Sequence, residues 1–213
     1  MLAFTKGEIN VSIRRFDTAD DTCITALSKL HMAAFTNFFL TQLGLPFLKT
    51  LYRAYMEDEN SGILVAEIDG ELAGFIAYSK EYSRFYKVLV KRHLFHFAAC
   101  SVIAVIRHPS FIKRLLRAFK KSDEVKKEET YVELTSICVN PQMKRKGIGS
   151  KLIDKLKEGT DFSVYEYINL ETDACNNDAV NHFYIKNGFR LARSYVTAEG
   201  RKMNEYRYYG EQG

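Results

Sequence analysis

The sequence predicts an α/β fold, a mixed central sheet of about seven strands flanked by helices, in a single domain over residues 1–213. Three observations predict it. Short apolar runs with period-two alternation lie beside glycine-bearing turns. Stretches with apolar residues every three or four positions separate them, and one strand pattern passes through a cationic glycine loop straight into an amphipathic helix. A length of 213 residues suits one domain with a sizeable core. The composition, 46% hydrophobic and 27% charged with 3 Pro, is that of an ordinary globular chain without repeats or disordered tracts.

Ile9, Val11 and Ile13 alternate with polar residues, which predicts a first strand over 8–16. Asp17-Thr18 offers a helix cap, with Asp20 and Asp21 in the opening turn of a helix expected to run over 19–39. Beyond Gly44 and Pro46 a second helix carries Phe47, Leu48, Leu51, Tyr52 and Tyr55 on one side. Phe35, Phe38, Phe39 and Leu45 are either core residues or walls of an acceptor pocket between these helices. Strands two and three, 63–68 and 72–78, are joined by Asp69-Gly70, a two-residue hairpin turn. Later come a fifth strand over 165–172, a helix over 177–186, and two antiparallel strands, 189–197 and 202–209, joined across Glu199-Gly200.

Residues 82–122 form a basic helical insert between strands three and four. It holds ten Lys or Arg and no Asp or Glu, against +5 for the whole chain, so the remainder carries about −5. Residues 94–106 are apolar except His96 and Ser101. Past His108-Pro109 a second helix is predicted, with Phe111, Ile112, Leu115, Leu116 and Phe119 on one face and Lys113, Arg114, Arg117, Lys120 and Lys121 mostly on the other. Three roles stay open: a roof over the acceptor side that attracts an anionic acceptor, an amphipathic element lying on an anionic bilayer, or a solvated hairpin packed on the domain. The apolar stretch falls short of the ~20 residues of a membrane span. The basic residues are not interleaved with a nucleic-acid-reading motif, so no nucleic-acid partner is expected.

Residues 131–156, YVELTSICVNPQMKRKGIGSKLIDKL, organise the rest. A strand turns at Asn140-Pro141, passes Lys144-Arg145-Lys146-Gly147-Ile148-Gly149 and becomes a helix. Glycines let a ligand approach the backbone, and free N–H groups and the positive dipole end of the helix point at it, an arrangement suited to phosphate. The spacing is neither a P-loop nor a dinucleotide-binding turn, since Leu152 stands where the latter requires a third glycine.

Val139-Asn140-Pro141 supplies a V-x-P turn, and Lys144, Gly147 and Gly149 fall on the positions of [QR]-x-x-G-x-[GA], with lysine keeping the cation. Further on, Asn177, Val180, Phe183, Tyr184, Gly188 and Phe189 follow N-x-x-[AS]-x-x-[FL]-Y-x-x-x-G-F, Val180 being bulkier than the usual residue. With both motifs in this order, the chain resembles the GCN5-related N-acetyltransferase (GNAT) family over essentially its whole length outside the insert.

The resemblance implies acetyl-CoA as cosubstrate in the cleft between strands four and five. Ile137, Cys138 and Val139 would line it, with the thioester carbonyl near the N–H of Ile137 or Val139. The pyrophosphate would lie over the amides of Arg145, Lys146, Gly147, Ile148, Gly149 and Ser150. Asn177 would bind the pantetheine or cap its helix, Phe183 would flank the cofactor, and the Tyr184 hydroxyl would protonate the departing thiolate. Glu133 is the candidate base: it stands where histone acetyltransferase members of the family carry a glutamate, and alternation puts it on the same face as Thr135 and Ile137. Burial there is expected to raise its pKa toward neutrality. Asp173 and His182 are reserve candidates.

The implied activity is acetyl transfer from acetyl-CoA to a primary amine, by direct attack in a ternary complex. The amine could belong to an amino sugar, a polyamine, an aminoglycoside or a protein terminus. The basic insert favours a small anionic acceptor such as an amino nucleotide sugar. The rival reading is a non-catalytic acyl-CoA-binding or membrane-docked regulatory module. The N-terminal stretch lacks the apolar run of a signal peptide, and Cys23, Cys100, Cys138 and Cys175 show neither C-x-x-C pairing nor metal-spaced histidines. A cytoplasmic protein with reduced thiols and no metal is expected, at the inner face of a membrane if the insert docks there.

Overall fold

The computed structural model describes residues 10–17, 20–36, 38–107, 130–144, 146–198 and 200–210. Strand β1 (Ser12–Arg15) leads to helix α1 (Asp21–Ala34); residues 8 and 9 of the expected first strand lie outside the described residues. The cap is Asp20, two residues beyond the expected Asp17-Thr18, its Oδ1 accepting the Thr22 N–H at 2.9 Å. The expected single helix over 19–39 is broken at Phe35, and a separate turn of helix, α2 (Phe39–Gln42), follows. Phe35-Thr36-Asn37-Phe38 combines residue types of low helix propensity. The Phe35 ring lies against His31 (4.8 Å) and Phe38 (5.0 Å).

Gly44, at φ 93°, and Pro46 start α3 (Leu45–Glu57). Strands β2 (Ser61–Ile68) and β3 (Glu71–Ser79) form the expected hairpin, with Asp69 at φ 53° and Gly70 at φ 81° as a type I′ turn requires. Helix α4 (Tyr82–Arg107) opens the insert as one 26-residue helix that buries Phe85, Leu89 and Phe97. The second insert helix, at 111–121, lies outside the described residues. Then follow β4 (Tyr131–Val139), a 3-10 turn (Pro141–Met143), α5 (Ile148–Glu158), β5 (Tyr167–Asp173), α6 (Asp178–Lys186), β6 (Arg190–Val196) and β7 (Lys202–Tyr208).

The seven strands run in the order β1-β2-β3-β4-β5-β7-β6, antiparallel except for β4 with β5. Helices α1, α3 and α4 cover one face, packing Leu27, Leu48, Tyr52, Phe85 and Phe97 around Phe75 of β3. On the other face α5 packs Ile148, Leu152, Ile153 and Leu156 against Ile76, Val132 and Ile168, with Tyr184 of α6 in the same core.

One register detail changes the reading of β4. Leu134 pairs with Tyr78 and Ser136 with Ala77, so Thr135 is an extra residue, a bulge whose hydroxyl donates to the Ala77 carbonyl at 2.9 Å. Simple alternation therefore fails across it. Ile137 packs on the α5 face, whereas Glu133 is on the α3 and α4 face beside Tyr55 and Tyr82. The expectation that Glu133 and Ile137 share a face is corrected by that one inserted residue.

Candidate active site

Strands β4 and β5 pair at Tyr131↔Tyr167, Val132↔Ile168 and Glu133↔Asn169, and there the ladder stops although both strands continue. A wedge opens beyond that point. The Asn140 N–H donates to the Ala73 carbonyl at 2.8 Å, on the β3 side. Backbone direction alternates along a strand, so Cys138 also faces β3, while the amides of Ile137 and Val139 face the wedge. The Cys138 side chain is buried in the α1 and α3 core, and burial pushes its thiol pKa up.

At the α5 end of the wedge, Gly147 adopts a left-handed φ of 72° and caps the helix without a side chain. The amides of Ile148, Gly149 and Ser150 open the helix and have no acceptor within it. Lys144 and Lys146 are exposed beside them; Arg145 lies outside the described residues. A Cβ on Gly149 would sit 3.1 Å from the Phe183 ring, so its missing side chain lets the two sequence motifs touch. Sequence spacing predicted both motifs but not that they meet.

Asn177 begins α6 without capping it through its side chain, a correction to one of its two expected roles. Its Nδ2 donates instead to Thr172 Oγ1 (2.9 Å) and the Asp173 carbonyl (3.1 Å). Asn181, not singled out in the sequence, is the hub of this corner. It donates to the Asp173 and Asn177 carbonyls at 3.0 and 2.9 Å and accepts from Asn204 and Tyr206 at 3.0 and 2.9 Å, tying α6 to β5 and β7. Tyr184 is buried against Phe183, Phe189 and Tyr206. Burial pushes its phenol pKa well up, so it stays protonated at neutral pH. Of the reserve candidates, Asp173 holds Arg201 in a two-pronged ion pair and His182 is exposed.

On the opposite face Glu133 is 8% exposed and accepts from Asn169 Nδ2 at 2.7 Å. Tyr55, Tyr82 and Tyr131 lie within its electrostatic reach, and Tyr82 and Tyr131 lie within that of Glu171 of β5 as well. Glu205, fully buried, is neutralised by Arg193 (2.7 Å) and Arg207 (3.1 Å). Glu133 and Tyr184 thus stand on opposite faces of the sheet. A molecule that touches both has to pass through the wedge.

Deeper on the Glu133 face, His31 Nδ1 shares a hydrogen bond with the Tyr52 hydroxyl at 2.6 Å, and Tyr52 is in hydrogen-bonding contact with Ser136 at the bulge. Phe35 walls this corner, Phe39 and Leu45 are half-buried, and Phe38 is exposed. Burial pushes the His31 pKa from 6.5 down to about 4. Between those two values the unfolded chain binds a proton that the folded one refuses, so stability falls as pH drops. The loss is on the order of 3 kcal/mol and levels off below the folded-state value. Chemical denaturation at stepped pH should show this loss in the wild type and lack it in His31→Gln.

The match to known proteins agrees with this geometry. Residues 24–189 match the model of the acetyltransferase (GNAT) family. The chain belongs to that family. It is an acyl-CoA-dependent N-acyltransferase that takes an acetyl group from acetyl-CoA. No curated protein sequence matches this chain. Several solved structures share the fold at low identity. The ribosomal-protein-S18-alanine N-acetyltransferase of Escherichia coli is 15% identical with a TM-score of 0.57, the alignment covering 96% of each chain. An N-acetyltransferase of Staphylococcus aureus Mu50 is 15% identical with a TM-score of 0.59, over 95% of this chain and 99% of the other. A GNAT-family acetyltransferase of Bacillus cereus is 10% identical with a TM-score of 0.57, over 95% and 99%. Among the described residues of this acetyltransferase, no group of three or more His, Cys, Asp or Glu is placed to hold a metal ion. No described helix is long and apolar enough to cross a membrane.

Proposed function

We propose that this acetyltransferase acylates a primary amine by direct attack within a ternary complex, with Glu133 as base and Tyr184 as acid. The observation that carries the reading is the end of the β4–β5 ladder at Glu133 and Asn169, between the opening amides of α5 on one face and a buried carboxylate on the other. In this reading the pyrophosphate lies over Ile148, Gly149 and Ser150, with Lys144 and Lys146 beside it. The pantetheine runs along β4 past the amides of Val139 and Ile137 and donates an amide hydrogen to Asn177 Oδ1, while Phe183 closes one side. An amide of Ile137 or Val139 polarises the thioester carbonyl.

Glu133 takes one proton from the acceptor ammonium, and the freed amine attacks the thioester carbon. A C–N bond forms as the C–S bond breaks. The thiolate takes the Tyr184 proton, and the second proton lost by the nitrogen restores the phenol. Among the described residues the Tyr184 hydroxyl makes no hydrogen bond, which supports a partner arriving with the substrate. Tyr184→Phe should lower kcat about a hundredfold with little change in KM for acetyl-CoA, read as CoA release at saturating substrates.

The strongly basic insert supports an anionic acceptor such as an amino nucleotide sugar, but only its first helix lies within the described residues. Asn169 hydrogen-bonds Glu133, and Tyr55, Tyr82 and Tyr131 lie within its electrostatic reach. Mass spectrometry of an amine panel incubated with acetyl-CoA tests the reading. N-acetylated product formed in proportion to released CoA supports it; acetyl-CoA bound without product from any amine overturns it.

A further inference from the structure

Helix α4 is apolar on two opposite sides, and the domain uses one of them. Phe85, Leu89 and Phe97 are buried, the Phe85 ring 4.3 Å from that of Tyr55 and the Phe97 ring 4.4 Å from that of Phe47. On the outward side Phe95, Ala98, Ala99, Val102 and Ile106 recur at helical spacing, and all are exposed. Phe95 is 89% exposed, Val102 51% and Ile106 73%. Single exposed apolar residues are ordinary, but a continuous stripe with an aromatic ring at one end marks a surface that meets something.

Charge indicates what it meets. The sequence holds ten Lys or Arg and no Asp or Glu over 82–122, and the stripe lies inside that run. At the start of α4 acids offset the cations: Arg84 pairs with Glu81 at 2.9 Å, and Arg92 borders a cleft that it shares with Glu57, Asp58 and Glu59. From Phe95 onward no acid follows until Asp123. Lys91 is exposed one turn before Phe95 on the same side of the helix, and Arg107 follows Ile106 in the sequence. A second copy of this face would set like charge against like, and so would the chain's own Lys113, Arg114, Arg117, Lys120 and Lys121. A layer of anionic headgroups over acyl chains complements both the cations and the apolar stripe.

We infer that the outward side of α4 lies on an anionic bilayer: Phe95, Val102 and Ile106 enter the boundary between headgroups and acyl chains, and Lys91 meets lipid phosphates. The helix lies along the surface, since no described helix is long and apolar enough to cross it. Docking does not depend on which amine is acetylated, and none of these residues belongs to the proposed catalytic site.

The chain contains no tryptophan, so Phe95→Trp places a single reporter on the stripe. In buffer its emission should be that of an exposed indole, open to quenching by acrylamide. Vesicles of phosphatidylglycerol and phosphatidylcholine should shift the emission to the blue and cut the quenching severalfold, whereas phosphatidylcholine alone should do neither. The native chain should co-sediment with the anionic vesicles. Phe95→Ser combined with Ile106→Ser should weaken that partition about tenfold, as should raised salt or Lys91→Glu. Unchanged acetyl-CoA affinity in these variants shows that the fold is intact. No co-sedimentation with anionic vesicles, or a partition that the double serine variant leaves unchanged, overturns the inference while leaving acetyl transfer standing. An indole already shielded in buffer overturns it too, and light scattering then tells a second copy on the stripe from cover by the chain itself.

Discussion

Glu133→Gln should reduce kcat/KM by roughly 10²–10³-fold while leaving acetyl-CoA affinity unchanged. The substitution is nearly isosteric, and the glutamine carbonyl can still accept from Asn169 Nδ2, the bond that measures 2.7 Å in the native protein. What disappears is the proton acceptor. Because Glu133 lies on the face opposite α5, the variant has no route to disturb the amides that open that helix. Steady-state rates with calorimetric titration of acetyl-CoA separate the two quantities. A variant that keeps its rate removes Glu133 from the chemistry and returns the role to an ordered water chain.

Gly147→Val should weaken acetyl-CoA binding by about a hundredfold or more. Left-handed backbone at φ 72° strains a β-branched residue by on the order of 1–3 kcal/mol, and that part appears as lost stability. The larger part is steric. Nothing lies within 4 Å of a Cβ at this position, so the protein leaves open space there, and a valine would compete for it with a ligand on the neighbouring amides. Losing two charge-assisted hydrogen bonds at roughly 1.5–3 kcal/mol each accounts for the factor. Gly149→Val is the instructive contrast. Its Cβ meets the Phe183 ring at 3.1 Å, so α6 must shift and stability should fall together with binding. Thermal unfolding beside titration distinguishes a blocked site from a disturbed fold.

Much of this was legible in the sequence because it is local. The Asp69-Gly70 turn requires positive φ at two successive residues, and few dipeptides tolerate that. The strand, glycine loop and helix over 131–156 carry their signal within one contiguous stretch, as does the segment that begins at Asn177. Elements that depend on distant contacts were not legible. The Thr135 bulge is set by pairing with Ala77 and Tyr78 on β3, and no alternation rule within β4 reveals it. Asn169 and Asn181 looked like ordinary polar residues of a strand and a helix. Their roles arise from neighbours such as Glu133 and Tyr206, 36 and 25 residues away. The role of the insert is not legible either: its charge is conspicuous in the sequence, yet only its first helix lies within the described residues.

A crystal structure with bound acetyl-CoA tests the central claim most directly. The account predicts the pyrophosphate on the amides of Ile148, Gly149 and Ser150, the thioester carbonyl within hydrogen-bonding distance of the Ile137 or Val139 N–H, and the acetyl carbon emerging on the Glu133 face. A thioester held on the α5 side of the sheet, out of reach of Glu133, would contradict it.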